Sequence, residues 1–211
     1  VGECLLDVIN LECVRGDRPV FSGVSFSVRN GEIFHIRGRN GAGKTSLLRI
    51  LCGLSTPAQG EIRWQGVPIR ELGEEYPQRL TYVGHLNGIQ GELNGREHLR
   101  FLAGLNSQTD GSLLTALIEQ TLARLELTTV ADLPVKFLSQ GQTRRLALAR
   151  LLLLKKNLWI LDEPYTTLDS QSVTLVEALL DEHLITGGLI VMASHQELSL
   201  KAPLHRITLD S

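Results

Sequence analysis

A chain of 211 residues, 43% hydrophobic and 21% charged, has the composition of a globular domain and room for one core plus a modest inserted lobe. Its 21 basic residues against 23 acidic ones, a formal charge of −2, exclude a general electrostatic partnership with nucleic acid. Cys4, Cys13 and Cys52 form no C-x-x-C pair and the six histidines show no ligand spacing. That pattern argues against a disulfide scaffold or zinc centre and fits a reducing compartment.

In chain order, "LLDVINLECV" and "FSGVSFSV" alternate apolar and polar residues and predict two half-buried antiparallel strands joined through "GDRP". "EIFHIRG" predicts a third strand, which runs into a glycine-rich loop and the helix "KTSLLRILCGL", stopped at Gly53. "GEIRWQGVPI" reads as a small hairpin around Gln65-Gly66, and "RLTYVG" as another strand. From about residue 87 the periodicity changes: "GREHLRFLAGL" and "SLLTALIEQTLARLEL" are amphipathic helices. After Pro134 comes the helix "LSQGQTRRLALARLLLL", then a buried strand "NLWILD", a helix "SQSVTLVEALLDEHL", a buried strand "GGLIVMAS" and an edge strand "HRITLD". The greasiest run is broken by Arg150 and stopped by Lys155, short of the roughly 20 apolar residues that span a bilayer. The opening from Val1 carries no signal-peptide pattern, so no membrane crossing by this chain alone is expected. The cluster Arg144-Arg145 reads as a solvated helix face, and His98 and His183 as exposed helix residues.

Three stretches carry chemistry. "GRNGAGKT" fits G-x-x-x-x-G-K-[ST] between a strand and a helix, the context of a phosphate loop. Backbone N–H groups of such a loop point at phosphate oxygens, and the helix N-terminus adds positive potential. The candidate phosphate-binding residues are Gly38, Arg39, Asn40, Gly41, Ala42, Gly43, Lys44, Thr45 and Ser46. Among them Lys44 reaches the β and γ phosphates and the Thr45 hydroxyl helps hold Mg²⁺. "LWILDEP" ends a buried strand in two carboxylates: Asp162 is suited to a water-mediated contact with Mg²⁺, and Glu163 to polarising an attacking water. "LSQGQ" places Ser139, Gly141 and Gln142 at a helix start, where a hydroxyl and free N–H groups bind phosphate or simply cap the helix.

The order of these stretches resembles ATP-binding cassette (ABC) ATPases over nearly the whole chain. The resemblance implies an α/β fold: a P-loop NTPase core of ABC-ATPase type with an N-terminal antiparallel β subdomain and an inserted α-helical subdomain. It implies one domain over 1–211, with 1–86 and 139–211 forming the ATP-binding core and about 87–138 the helical subdomain. It also implies ATP hydrolysis with Mg²⁺ by a homodimer that sandwiches two ATP molecules, each between one subunit's Lys44 loop and the other's Ser139-Gly141 helix. "TTLD", ending in Asp169, matches the family's interface loop, and His195 in "MASHQ" its switch histidine, contacting the γ-phosphate and holding water with Glu163. By this resemblance Glu163, His195 and Lys44 are the catalytic residues.

Two positions depart from the family pattern. An aromatic residue usually stacks on adenine ahead of the second strand, and Arg15 stands there; a guanidinium plane stacks on a base, or the residue is solvated. The glutamine loop usually reads Tyr-Val-x-Gln, and here Tyr82-Val83-Gly84-His85 is followed by Leu86. His85 would hold a metal-bound water rather than the ion and sense nucleotide, with added pH sensitivity because imidazole titrates near neutrality. "LWILDEPYTTLD", "WQGVPI" and "GGLIVMASHQEL" are similar to the ATP-binding subunit of the bacterial cytochrome c maturation system. That resemblance implies a peripheral subunit on the cytoplasmic side of the inner membrane, integral-membrane permease partners, and ATP-driven release of haem-loaded chaperone. With no C-x-x-C-H motif in the chain, no direct haem contact is expected, and its balanced charge leads to no nucleic-acid partner being expected. Another ABC exporter, and a non-hydrolysing nucleotide-binding regulatory module, stay open as alternatives.

Overall fold

A computed structural model describes residues 4–105 and 111–209. The chain divides into two compact units: Val1–Tyr82 with Lys156–Glu163 and Glu177–Ser211, and Val83–Lys155 with Pro164–Val176.

The first unit holds two sheets. Strands β1 (Cys4–Arg15), β2 (Arg18–Arg29), β4 (Gln59–Trp64) and β5 (Val67–Pro68) form an antiparallel sheet in the order β2-β1-β4-β5. The turn between β4 and β5 is Gln65-Gly66, both at positive φ (51° and 80°), which matches the right-handed twist of a tight hairpin. Strands β3 (Ile33–Gly38), β6 (Leu80–Val83), β7 (Leu158–Asp162), β8 (Leu189–Ala193) and β9 (Leu204–Leu209) form the second sheet, ordered β6-β7-β8-β3-β9. In it β3 runs parallel to both β8 and β9, and β7 parallel to β8. β7 and β8 are buried at every residue, as strands covered on both faces must be, so they read as unbroken apolar runs rather than alternations.

Helix α1 (Lys44–Leu51) buries Leu47, Leu48, Ile50 and Leu51 in a core shared with both sheets, where Phe26 stacks on Phe34 with ring centroids 3.8 Å apart. The short helix α2 (Ile69–Leu72) follows β5, and beyond it the Tyr76 hydroxyl donates to the Leu51 carbonyl at 2.6 Å, satisfying an acceptor at the end of α1. Because β3 and β7 flank β8 and both run parallel to it, their C-terminal ends, and the loops after them, open on one edge of the sheet.

The second unit is helical. Helices α3 (Gly95–Gly104), α4 (Gly111–Arg124) and α5 (Gln140–Leu154) pack on one another. Asn94 caps α3 in a reciprocal box with Glu97, and Arg96 grips Glu119 of α4 with two bonds of 2.7 and 2.9 Å. Helix α5 belongs with α3 and α4, because its consecutive buried residues Leu146, Ala147, Leu148 and Ala149 leave no polar face. Residues 139–155 and 164–176 pack in this second unit. Helix α6 (Ser170–Ile185) begins in the second unit and ends in the first. No helix among the described residues is long and apolar enough to cross a membrane.

Three readings of single residues need correction. Arg144 is buried (2% exposed) and not part of a solvated face. His98 is buried in α3 at 3% exposure. His183 stacks flat on Trp159, centroids 3.7 Å apart, and bonds the Asn157 carbonyl at 3.0 Å.

Candidate functional site

The glycine-rich loop leaves β3 at Gly38 and ends at Gly43, which caps α1 in a left-handed conformation (φ 94°). A Cβ at Gly43 would lie 2.5 Å from Val20 Cγ1 and 3.0 Å from Phe21 Cδ1, so only glycine admits this approach to β2. Past that cap the first-turn N–H groups of α1 have no helical acceptor, leaving Lys44, Thr45 and Ser46 at a helix start built for an anion. Ala42 closes the loop through its N–H to the Arg39 carbonyl at 3.2 Å. Gly41, like Gly38 and Gly43, takes positive φ.

Four side chains of the first unit converge beside this loop. Lys44 Nζ donates to the Gly38 carbonyl at 2.8 Å and the Arg39 carbonyl at 3.2 Å, and stands 3.1 Å from His195 Nε2. The same nitrogen lies 3.0 Å from Asn40 Oδ1 and 3.4 Å from Glu163 Oε1. It either accepts from Lys44 as a lone pair or donates as N–H to an oxygen, so the tautomer selects between them. Glu163 is held at φ 48°, a left-handed backbone uncommon outside glycine, and its N–H donates to the Ala193 carbonyl at 2.8 Å. Its Oε2 accepts the His195 backbone N–H at 3.3 Å. Asp162, buried at the end of β7 (1% exposed), accepts a hydrogen bond from the Thr45 hydroxyl at 2.8 Å. Arg15 closes β1 opposite Arg18, exposed at the tip of the β1–β2 hairpin whose second strand packs on Gly43.

The remaining sequence candidates lie in the helical unit. Ser139 is the N-cap of α5: its hydroxyl accepts the Gln142 N–H at 3.2 Å, while its own N–H donates to Gln142 Oε1 at 2.8 Å. The cap uses the hydroxyl as acceptor only, so its proton stays available to a phosphate oxygen. Gly141 is close-packed: a Cβ there would come within 3.2 Å of the Thr167 carbonyl. Asp169 accepts the Ser172 N–H at 2.8 Å at the start of α6, and that bond holds its carboxyl below the usual range. His85 and Leu86 are exposed just past β6.

Sequence reasoning passed over one residue of this unit. Arg144 Nη1 donates to the Gly84 carbonyl at 2.9 Å and to Asn87 Oδ1 at 3.1 Å, and its Nε to the Pro164 carbonyl at 3.2 Å. It thereby ties the loop after β6 to the segment after Glu163. Its immediate neighbours Thr143 and Arg145 are polar, so nothing local in the sequence marks it as enclosed.

Residues 21–166 match the family model described as ABC transporter. This chain belongs to the ABC transporter family. It is accordingly an ATPase subunit, and ATP is its substrate. The cytochrome c biogenesis ATP-binding export protein CcmA of Nitrosospira multiformis is 49% identical over 92% of this chain and 93% of its own. An ATP-binding subunit of an ABC transporter of known structure is 26% identical, with a TM-score of 0.81 over 90% of this chain and 79% of its own. The ATP-binding cassette MJ0796, a dimer in a post-hydrolysis state with ADP and Pi, shares the fold at 22% identity, TM-score 0.82, over 91% of this chain and 88% of its own.

Proposed function

We propose that this ABC-family ATPase works as a pair of identical subunits against integral-membrane partners on the cytoplasmic side of a bacterial inner membrane. Its ATP hydrolysis drives a step of cytochrome c maturation, the release of haem-loaded chaperone. The likeness to the CcmA protein, 49% over almost the full length of both chains, supports the pathway. The observation that carries the mechanism is the convergence of Lys44, Glu163 and Asn40 on His195, beside the Thr45–Asp162 bond.

Triphosphate enters the loop formed by Gly38, Arg39, Asn40, Gly41, Ala42 and Gly43, and the N–H groups at the start of α1, from Lys44 to Ser46, face its oxygens. Lys44 then trades the Gly38 and Arg39 carbonyls for the β and γ phosphates, gaining charge-assisted bonds. Thr45 and Asp162 offer a hydroxyl and a carboxylate oxygen side by side, the hard donors that Mg²⁺ takes one or two at a time from protein. Held by these two residues, Mg²⁺ would supply positive charge against the negative charge that develops on the phosphate. Glu163 accepts the proton of the attacking water, and His195, freed from Lys44, donates to the γ-phosphate as charge grows on it. Arg15 stacks on the base from the hairpin tip, and His85 reports on nucleotide through a water. The Ser139 proton, Gly141 and Gln142 at the start of α5, with Asp169, face the nucleotide of the opposite subunit.

Replacing Glu163→Gln keeps the shape and removes the base. Hydrolysis should fall by at least about a hundredfold, the usual worth of a general base, while ATP binding and pairing persist. A variant that still releases phosphate at the parent rate refutes the assignment.

A further inference from the structure

β3 carries an imidazole at its centre. His35 is completely buried (0% exposed), in register with Met192 of β8 and Arg206 of β9. Its Nε2 lies 3.0 Å from the Ser194 carbonyl oxygen. A carbonyl only accepts, so the hydrogen sits on Nε2 and Nδ1 keeps a bare lone pair. Nδ1 is indeed buried with no hydrogen-bond partner among the described residues. Burial, with the nearby Arg37 and Arg206 charges, holds this imidazole below its ordinary value despite the Ser194 bond and Glu197, and so keeps it neutral. An apolar side chain would fill such a place without stranding a nitrogen, so the bond to Ser194 calls for a reason.

The reason lies in the other end of the same peptide. The Ser194–His195 unit presents its oxygen to His35 and its N–H to Glu163 Oε2, at 3.3 Å. A peptide is planar, so fixing the direction of the carbonyl fixes the direction of the N–H. The Ser194 N–H is anchored to the Ile36 carbonyl at 3.4 Å, and the Ser194 hydroxyl accepts the Gln196 N–H at 3.0 Å. None of these bonds takes the Ser194 carbonyl, whose partner is His35.

We propose that His35 is a positioning residue for Glu163: its Nε2–H clamps the Ser194–His195 peptide, which holds the carboxylate and its neighbour His195 in place for attack on the γ-phosphate. The proposal rests on Glu163 acting as the base. His35 touches neither nucleotide nor water itself and acts through one rigid peptide.

Steady-state ATPase assays on the full chain with saturating magnesium-ATP separate the possibilities. His35→Leu should lower kcat about five- to tenfold, the effect of one neutral hydrogen bond, and leave KM within about twofold because the phosphate loop is untouched. His35→Gln, whose amide offers an N–H in the same direction, should restore most of kcat. In a Glu163→Gln background His35→Leu should cost nothing more. Full activity of His35→Leu beside an inactive Glu163→Gln overturns this proposal alone, and so does His35→Gln as slow as His35→Leu. Parent-level turnover by Glu163→Gln overturns the assignment of the base and this proposal with it. Imidazole-nitrogen NMR on the unmodified chain needs no variant: Nε2–H is expected for His35, and an Nδ1–H tautomer overturns the clamp.

Discussion

His98 offers a quantitative test of the packing in the helical unit. Its ring is buried in α3, Nε2 has no hydrogen-bond partner among the described residues, and burial together with the Arg150 charge pushes its pKa down from 6.5 to about 4. In the unfolded chain the ring returns to the ordinary value, so between those two values the unfolded state binds the extra proton. Stability contributed by the neutral ring is therefore complete above about pH 6.5 and is lost as pH falls toward about 4. Between about pH 7.5 and about pH 5.0 the difference comes to about 2 kcal/mol, a readable fraction of the roughly 5–15 kcal/mol of a typical domain. His98→Leu removes the titration and fills the same space with apolar atoms. Urea unfolding followed by far-ultraviolet circular dichroism at both pH values should show the parent losing about 2 kcal/mol more than the variant. His183, pushed down to about 4 against Trp159, and His35 titrate in the same direction in both proteins and cancel in the comparison. Equal pH dependence in parent and variant would refute the burial of His98.

Two further outcomes test the pairing of subunits and the loop after β6. The ATPase rate per subunit should fall on dilution, and Ser139→Arg, which puts a bulky cation at the cap of α5, should reduce the rate at every concentration while one subunit's ATP binding persists; a flat rate on dilution sinks the paired model. His85→Ala should leave nucleotide affinity within about twofold but weaken stimulation of ATPase by the membrane partners, measured in reconstituted vesicles; unchanged stimulation makes the exposed histidine mere loop filling.

Much of the site was readable because its chemistry is local. Gly43 needs a left-handed backbone, Lys44 and Thr45 open the helix that follows, and Asp162-Glu163 end an unbroken apolar strand, all within short contiguous stretches. The strands and the hairpin at Gln65-Gly66 were readable for the same reason, since alternation and turn chemistry act between near neighbours. The spacing from Ser139 to Gln142 fits a capping box and a phosphate contact alike, and the structure shows the cap.

What the linear order could not reveal is which polar groups the fold draws inside. Arg144 and Arg145 are neighbours in one helix, yet the first is enclosed by the Gly84 and Pro164 carbonyls, 60 and 20 residues distant in sequence. His35 meets Ser194 across 159 residues, and only the parallel pairing of β3 with β8 brings them together. Burial of a polar side chain depends on partners supplied by remote segments, because a lone group of that kind is too costly to enclose. Amino-acid order thus determined the phosphate-loop chemistry and the family, through residues that act within one turn or one strand end. Tertiary packing alone decided that His35 lies beneath the peptide facing Glu163, and that Arg144 and His98 are enclosed.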